Sequence, residues 1–195
     1  MNKQILAATH NGDKLREFSR ILAPYQIEVL PCGDRELLAS IVEDGETFEE
    51  NALIKARAVF AAKGIPTIAD DSGLCVDALG GAPGVYSARY LGEDTSYITK
   101  NNAIIASLNG IAETERTASF RCAIALVTKD GEHVFTGRID GRIGYEARGE
   151  NGFGYDPIFY VGDRTTAEMS NEEKDAVSHR GRALRALCAE ISGLI

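Results

Sequence analysis

An apolar, strand-like run reaches Ile68-Ala69 and is followed at once by two carboxylates, Asp70 and Asp71, and then by Ser72-Gly73. Any fold of this chain must bring positive charge to two adjacent acids beside a buried strand, because such charges repel each other and resist burial unless paired. In a continuing strand the two side chains would face opposite ways, whereas a chain breaking into a turn at Ser72-Gly73 would aim both at one side. We expect the turn. Carboxylate oxygens held together are what a hard cation such as magnesium selects, with substrate phosphates completing its shell. A loop capped by Asp and Ser is the plainer reading of the same residues.

A chain of 195 residues suits a single domain, 1–195, with room for two lobes, and can bury a core without metal or disulfide staples. No apolar run approaches the span of a membrane helix. Met1-Asn2-Lys3-Gln4 leads straight into Ile5-Leu6-Ala7-Ala8 with no secretory segment, which gives a cytoplasmic expectation. Cys32, Cys75, Cys122 and Cys188 are scattered without a C-x-x-C pair, so reduced, mostly buried thiols are expected rather than a zinc site. The formal charge of −8 opposes a nucleic-acid coat. A small anion can still be held by a few local cations, so the informative basic residues are those that local structure would not otherwise favour.

Three places qualify. Thr9-His10-Asn11-Gly12-Asp13 reads as a turn, with Asn11 as N-cap of a helix from Lys14 to Leu22 whose Leu15, Phe18 and Leu22 share one face. Lys14 then sits at the positive end of the helix dipole, where carboxylates are preferred. An anion bound there would remove the mismatch, although the segment is not a Walker A loop. Thr47-Phe48-Glu49-Glu50 reads as a capping box opening a helix that closes at Lys63-Gly64 and Pro66. Within it Asn51 and Lys55 are i, i+4 neighbours on the edge of the buried stripe. Lys55 either points inward or snorkels to water. Glu43, just upstream, either joins Asp71 on a metal or solvates a loop. Ser178 reads as the N-cap of a final helix with Leu184, Leu187, Cys188 and Ile191 inside, placing His179 and Arg180 in its first turn, again at a positive dipole end, with Lys174 upstream.

A fourth segment has different chemistry. Gly152-Phe153-Gly154-Tyr155-Asp156-Pro157 flanks an aromatic with glycines and follows it with a carboxylate fixed by proline. It suits a planar base stacked on Phe153, or a glycine-rich turn that packs one phenylalanine inward. A carboxylate-bound cation, lysines for a polyphosphate and an aromatic slot together match a nucleoside triphosphate.

Thr9-x-Asn11-x-x-Lys14-x-x-Glu17, Thr47-Phe48-Glu49-Glu50-Asn51-Ala52 with Lys55-Ala56, Ala69 to Leu74, Gly80 to Arg89, Phe153 to Pro157 and Ser178 to Gly181 occur in that order across nearly the whole chain. They resemble the inosine triphosphate pyrophosphatase family, the Ham1-like or non-canonical purine NTP pyrophosphatases. The resemblance implies an α/β fold with a long twisted mixed sheet flanked by helices, two lobes around a nucleotide cleft, and a homodimer. Strands are expected near Gln4–Ala8, Ile27–Leu30, Pro66–Ala69, Ser119–Lys129 and His133–Tyr145, the last two joined by a hairpin turn at Lys129 to Glu132. By the same resemblance, Asp71 is proton acceptor and metal ligand, and Asp70 and Glu43 join it on Mg2+. Thr9, His10, Asn11, Gly12, Asp13, Lys14, Lys55 and Ser72 face the triphosphate. Phe153, Gly154, Tyr155, Asp156, Lys174, His179 and Arg180 read the base. The implied reaction converts ITP, dITP or XTP to the monophosphate and pyrophosphate. A pyrophosphatase for other modified nucleotides and a nucleotide-binding regulator remain as alternatives, the latter opposed by the three acids.

Overall fold

Alternating apolar residues in the first strand commit the chain to a sheet covered on both faces. In β1 (Lys3–Ala7), Ile5 and Ala7 pack in one apolar cluster, while Leu6 and the following Ala8 pack in another. The structure, a computed structural model, describes residues 3–195. Its remaining elements are α1 (Gly12–Leu22), β2 (Ile27–Pro31), α2 (Arg35–Ser40), α3 (Phe48–Lys63), β3 (Thr67–Val76), α4 (Tyr97–Ser107), β4 (Thr117–Thr128), β5 (Gly131–Ile143), β6 (Phe159–Val161), β7 (Arg164–Thr165), α5 (Asn171–Val177) and α6 (His179–Glu190). The sheet is mixed, in the order β2-β1-β3-β4-β5-β6-β7. β1 runs parallel to β2 and β3, and β6 is antiparallel to β5 and β7.

The chain divides into two compact units, and β3, β4 and β5 each contribute residues to both. The first comprises residues 1–71, 122–137 and 179–195. One sheet face in it carries α1 and α6, with Phe18 and Leu22 packed with Ala183, Leu184 and Leu187 over Ile5, Ile68 and Ile124. The other carries α3, whose Ala52, Ala56 and Val59 meet Leu6, Ala69 and Ala123. The second unit, residues 72–121 and 138–178, has its own core around Leu74, Ile104, Phe120, Ile143, Ile158 and Phe159.

The helices obey their local signals. Asn11 caps α1 by accepting from the Asp13 and Lys14 amides, and Thr47 and Glu50 form both halves of the capping box on α3. Gly64 ends α3 in the left-handed conformation that glycine adopts without penalty. The expected turn at Ser72-Gly73 does not form, and that expectation is corrected: β3 continues through both residues to Val76. Lying between β1 and β4 and buried along almost its whole length, β3 gains ladder bonds and packing that outweigh the turn propensity of two residues.

Candidate active site

Because β3 does not turn, Asp70 and Asp71 project to opposite faces of the sheet, each among cations from the helices on that side. Asp70 follows Ile68 onto the face of α1 and α6. Its Oδ1 lies 2.9 Å from Lys14 Nζ, and its Oδ2 accepts from Arg180 Nη2 at 2.8 Å and Nε at 3.2 Å. Arg180 Nη1 donates to Glu17, one turn along α1 from Lys14. Burial works against the Asp70 charge, but Lys14, Arg180 and Lys55 outweigh it and hold this carboxyl far below the usual carboxylate range. The guanidinium, also buried, is driven the other way by Asp70 and Glu17 against its desolvation.

The anion that Lys14 and Arg180 seek at two helix starts is thus Asp70. Asp70 is ion-paired on the face of α1 and α6, and Arg180 donates to both Asp70 and Glu17. Glu17 entered the sequence reading only as part of a motif. Its signal was the i, i+3 spacing from Lys14.

Asp71 follows Ala69 onto the face of α3. Lys55 Nζ reaches its Oδ1 at 3.3 Å and Glu43 Oε2 at 2.6 Å, so one ammonium lies between two carboxylates. Lys55 therefore points inward rather than snorkelling. Asp71 Oδ2 accepts from Asn51 Nδ2 at 3.3 Å. Burial pushes the Asp71 carboxyl up; Lys55 and Lys14 oppose this, Asp70 and Glu43 reinforce it, and the balance lies above the ordinary aspartate value. Lys55 is moved up as well, its desolvation overcome by Asp71, Glu43 and Asp70.

The remaining residues of the first turn divide by exposure. The Asn11 side chain accepts from the Asp13 and Lys14 amides at 2.9 and 3.2 Å, and its own backbone amide donates to Thr9 Oγ1 at 3.1 Å. Asp13 pairs with Arg16, Gly12 opens α1, and His10 is exposed. His179 is buried at the start of α6, and Ser72 is half-buried in β3.

In the second unit the Phe153 turn is tied down by Asp156. Its Oδ2 accepts from the Phe153 amide at 2.8 Å and Lys174 Nζ at 2.7 Å, and its Oδ1 accepts from Thr166 Oγ1 at 2.8 Å. Buried and occupied on both oxygens, Asp156 holds Phe153 and Lys174 together. The Lys174 ammonium lies 4.7 Å from the Phe153 ring centroid. Gly152 is required because a Cβ there would come within 2.3 Å of Asp156 Oδ2 at a φ of +75°. Gly154 O accepts from Asn101 Nδ2 at 3.1 Å, and Tyr155 Oη donates to Ser87 O at 2.8 Å. Thr166 and Asn101 carried no signal in the sequence, since their partners lie far along the chain.

The donor set can be tested against a divalent cation. Glu43 and Asp71 already bracket a positive charge with hard oxygens, which fits magnesium completed by phosphate oxygens. Among the described residues no group of three or more His, Cys, Asp or Glu side chains forms a metal centre by itself.

The first unit thus carries acid–lysine pairs on both faces of β3, and the second carries an aromatic turn tied down by a buried carboxylate. The Ham1 family model matches residues 5–190, and the chain belongs to that family. It is 48% identical over 189 residues to a dITP/XTP pyrophosphatase of Bacillus subtilis, covering 95% of each chain. It is also 48% identical over 187 residues to a dITP/XTP pyrophosphatase of Geobacter sulfurreducens, covering 94% of each. Among solved structures it is similar to a HAM1 protein from Coxiella burnetii, with TM-score 0.87 and 40% identity over 98% of this chain and 99% of that one. The Ham1 protein of Staphylococcus aureus gives 0.85 and 41%, over 99% of this chain and all of the other.

Proposed function

We propose that this chain hydrolyses 6-oxo purine nucleoside triphosphates, of the ITP, dITP and XTP class, to the monophosphate and pyrophosphate. The observation that carries the reading is the Lys55 ammonium held between Glu43 and Asp71 on one face of β3. Relatives named dITP/XTP pyrophosphatase, matched over almost their whole length, support the choice of substrate.

Asp71 is the proton acceptor. Burial raises its carboxyl above the ordinary aspartate value against the pull of Lys55 and Lys14, which suits it to take a proton from a water attacking the α-phosphorus. Lys55 and Lys14 supply positive charge that offsets what develops on the departing pyrophosphate. Glu43 and Asp71 would hold magnesium, which, when bound, neutralises the phosphate oxygens. Phe153 offers its ring for stacking. Lys174, paired with Asp156 beside the ring, offers a donor to a 6-oxo group, which the 6-amino group of adenine cannot accept. The chain acts as a homodimer, a reading supported by the apolar side chains Tyr86, Leu91, Tyr97 and Ile98 exposed on the second unit, and works in the cytoplasm.

The test is pyrophosphate release across ITP, dITP, XTP, the four ordinary ribonucleoside triphosphates and modified pyrimidine triphosphates, with and without Mg2+. Turnover should be fast for the 6-oxo class only, should require the metal, and should vanish in Asp71→Asn. A preference for modified pyrimidines would move the chain to the alternative pyrophosphatase class. Tight binding without turnover would make it a nucleotide-binding regulator.

A further inference from the structure

Asn51 is an unexpected residue for the second turn of α3. Asparagine is a poor helix former, and the position is 1% exposed, between Glu50 and the buried Ala52, where an alanine or leucine would favour both helix and core. Its amide is nevertheless fully engaged. Oδ1 accepts from the Gly45 amide at 2.9 Å, and Nδ2 donates to Gly45 O at 3.3 Å and to Asp71 Oδ2 at 3.3 Å. The side chain pairs with both polar groups of Gly45 as a neighbouring strand would, and with the same amide grips the carboxylate of β3.

The approach is tight enough to exclude any side chain at position 45. A Cβ on Gly45 would stand 2.7 Å from Glu50 Cβ, 2.8 Å from Asn51 Oδ1 and 3.0 Å from the Asn51 backbone nitrogen. Two residues before Gly45, Glu43 closes on Lys55, which closes on Asp71. The contacts form a ring from Asn51 to the Gly45 loop, to Glu43, to Lys55, to Asp71 and back to Asn51.

We propose that Asn51 is a positioning residue for the reaction: it sets the separation of the Glu43 and Asp71 carboxylates by clamping the loop that carries one to the strand that carries the other. The inference rests on the hydrolytic function proposed above and extends it to a residue that touches neither water nor phosphate. An error of about 1 Å at a reacting group can cost on the order of 100-fold in rate. Loss of a residue that orients ligands typically weakens metal binding by about 10–100-fold.

Two variants test the proposal, each measured beside the parent chain for kcat and KM on ITP, for Mn2+ affinity by electron paramagnetic resonance, and for melting by circular dichroism. Asn51→Leu keeps the branched shape and removes all three bonds. Asn51→Asp keeps the acceptor for Gly45 but loses both donated bonds and sets a like charge against Asp71. Both should stay folded, lose about 100-fold in kcat with KM little changed, and bind Mn2+ at least about 10-fold more weakly. Folded variants with parental kcat and Mn2+ affinity, or with the loss confined to KM, overturn the proposal. If Asn51→Leu does not fold, Asn51→Asp decides alone, and its failure to fold would assign Asn51 to the scaffold and overturn the proposal as well. A parent chain inert towards ITP, dITP and XTP would instead overturn the proposed function, while the Mn2+ measurement would still report whether Asn51 governs the two carboxylates.

Discussion

At the scale of single residues, Asp70 and Asp71 show how one backbone step separates two chemistries. Asp70 is buried, saturated with cations and held ionised; Asp71 meets one lysine and one amide and is pushed upwards. The consequence for Asp70 is a stability effect with a definite sign. Its folded value lies below its unfolded value of about 3.9, so its contribution is present above that pH and is lost as pH falls from there towards the depressed folded value. Asp70→Asn strips the charge that Lys14 and Arg180 face, which at neutral pH should cost about 3–5 kcal/mol, the range for breaking a buried pair. Thermal melts of parent and variant should draw together as the pH drops below about 4, where the unfolded parent takes up a proton on Asp70 that the folded parent still excludes. A gap that stays constant into acid would remove Asp70 from the ion-pair network. The DDSG run was legible as a charged site from the sequence, but its division was not: that required the burial of β3, which only the neighbouring strands determine.

At the scale of elements, local signals were strongest where they are self-contained. The capping box of α3, the Asn11 cap of α1 and the β4–β5 hairpin depend on residues within one turn of each other, and all form as expected. Partnerships across the chain were not legible, and the Arg180–Asp70 pair, 110 residues apart, is the clearest case. Packing of β5 on α6 is another. A Cβ at Gly137 would lie 2.0 Å from the His179 carbonyl oxygen and 2.7 Å from the Ala183 amide nitrogen, backbone atoms that cannot step aside cheaply. Gly137→Ala should therefore push the first turn of α6 outward and destabilise the protein by about 1–3 kcal/mol or more. The shift would be seen in the denaturant midpoint and in faster amide exchange along α6. An unchanged midpoint would mean that the helix seats itself without this glycine.

At the scale of the whole molecule, the sequence implied a mixed sheet with flanking helices, and the seven-stranded sheet agrees; the relatives of known structure share the architecture. No helix among the described residues is long and apolar enough to cross a membrane. The exposed Tyr86, Leu91, Tyr97 and Ile98 make a definite forecast of assembly. Light scattering should return twice the chain mass of 21.0 kDa, and Ile98→Glu, at a position 75% exposed, should shift the population towards the single chain without changing its melting by more than a surface substitution does. A single-chain mass for the parent at micromolar concentration would return these residues to ordinary exposed surface.

The pairing of Asp70 with a guanidinium from α6 also bears on how the protein comes to exist. Synthesis delivers β1, α1, α3 and β3 to the folding environment well before α6 emerges, and early segments begin to organise as they appear. Until Arg180 arrives, closing that face of the sheet would bury Asp70 and Glu17 without the guanidinium that lies between them in the folded chain. We therefore expect the α1 face to stay open until the last helix is made, so that a chain truncated before α6 should be cut readily by proteases.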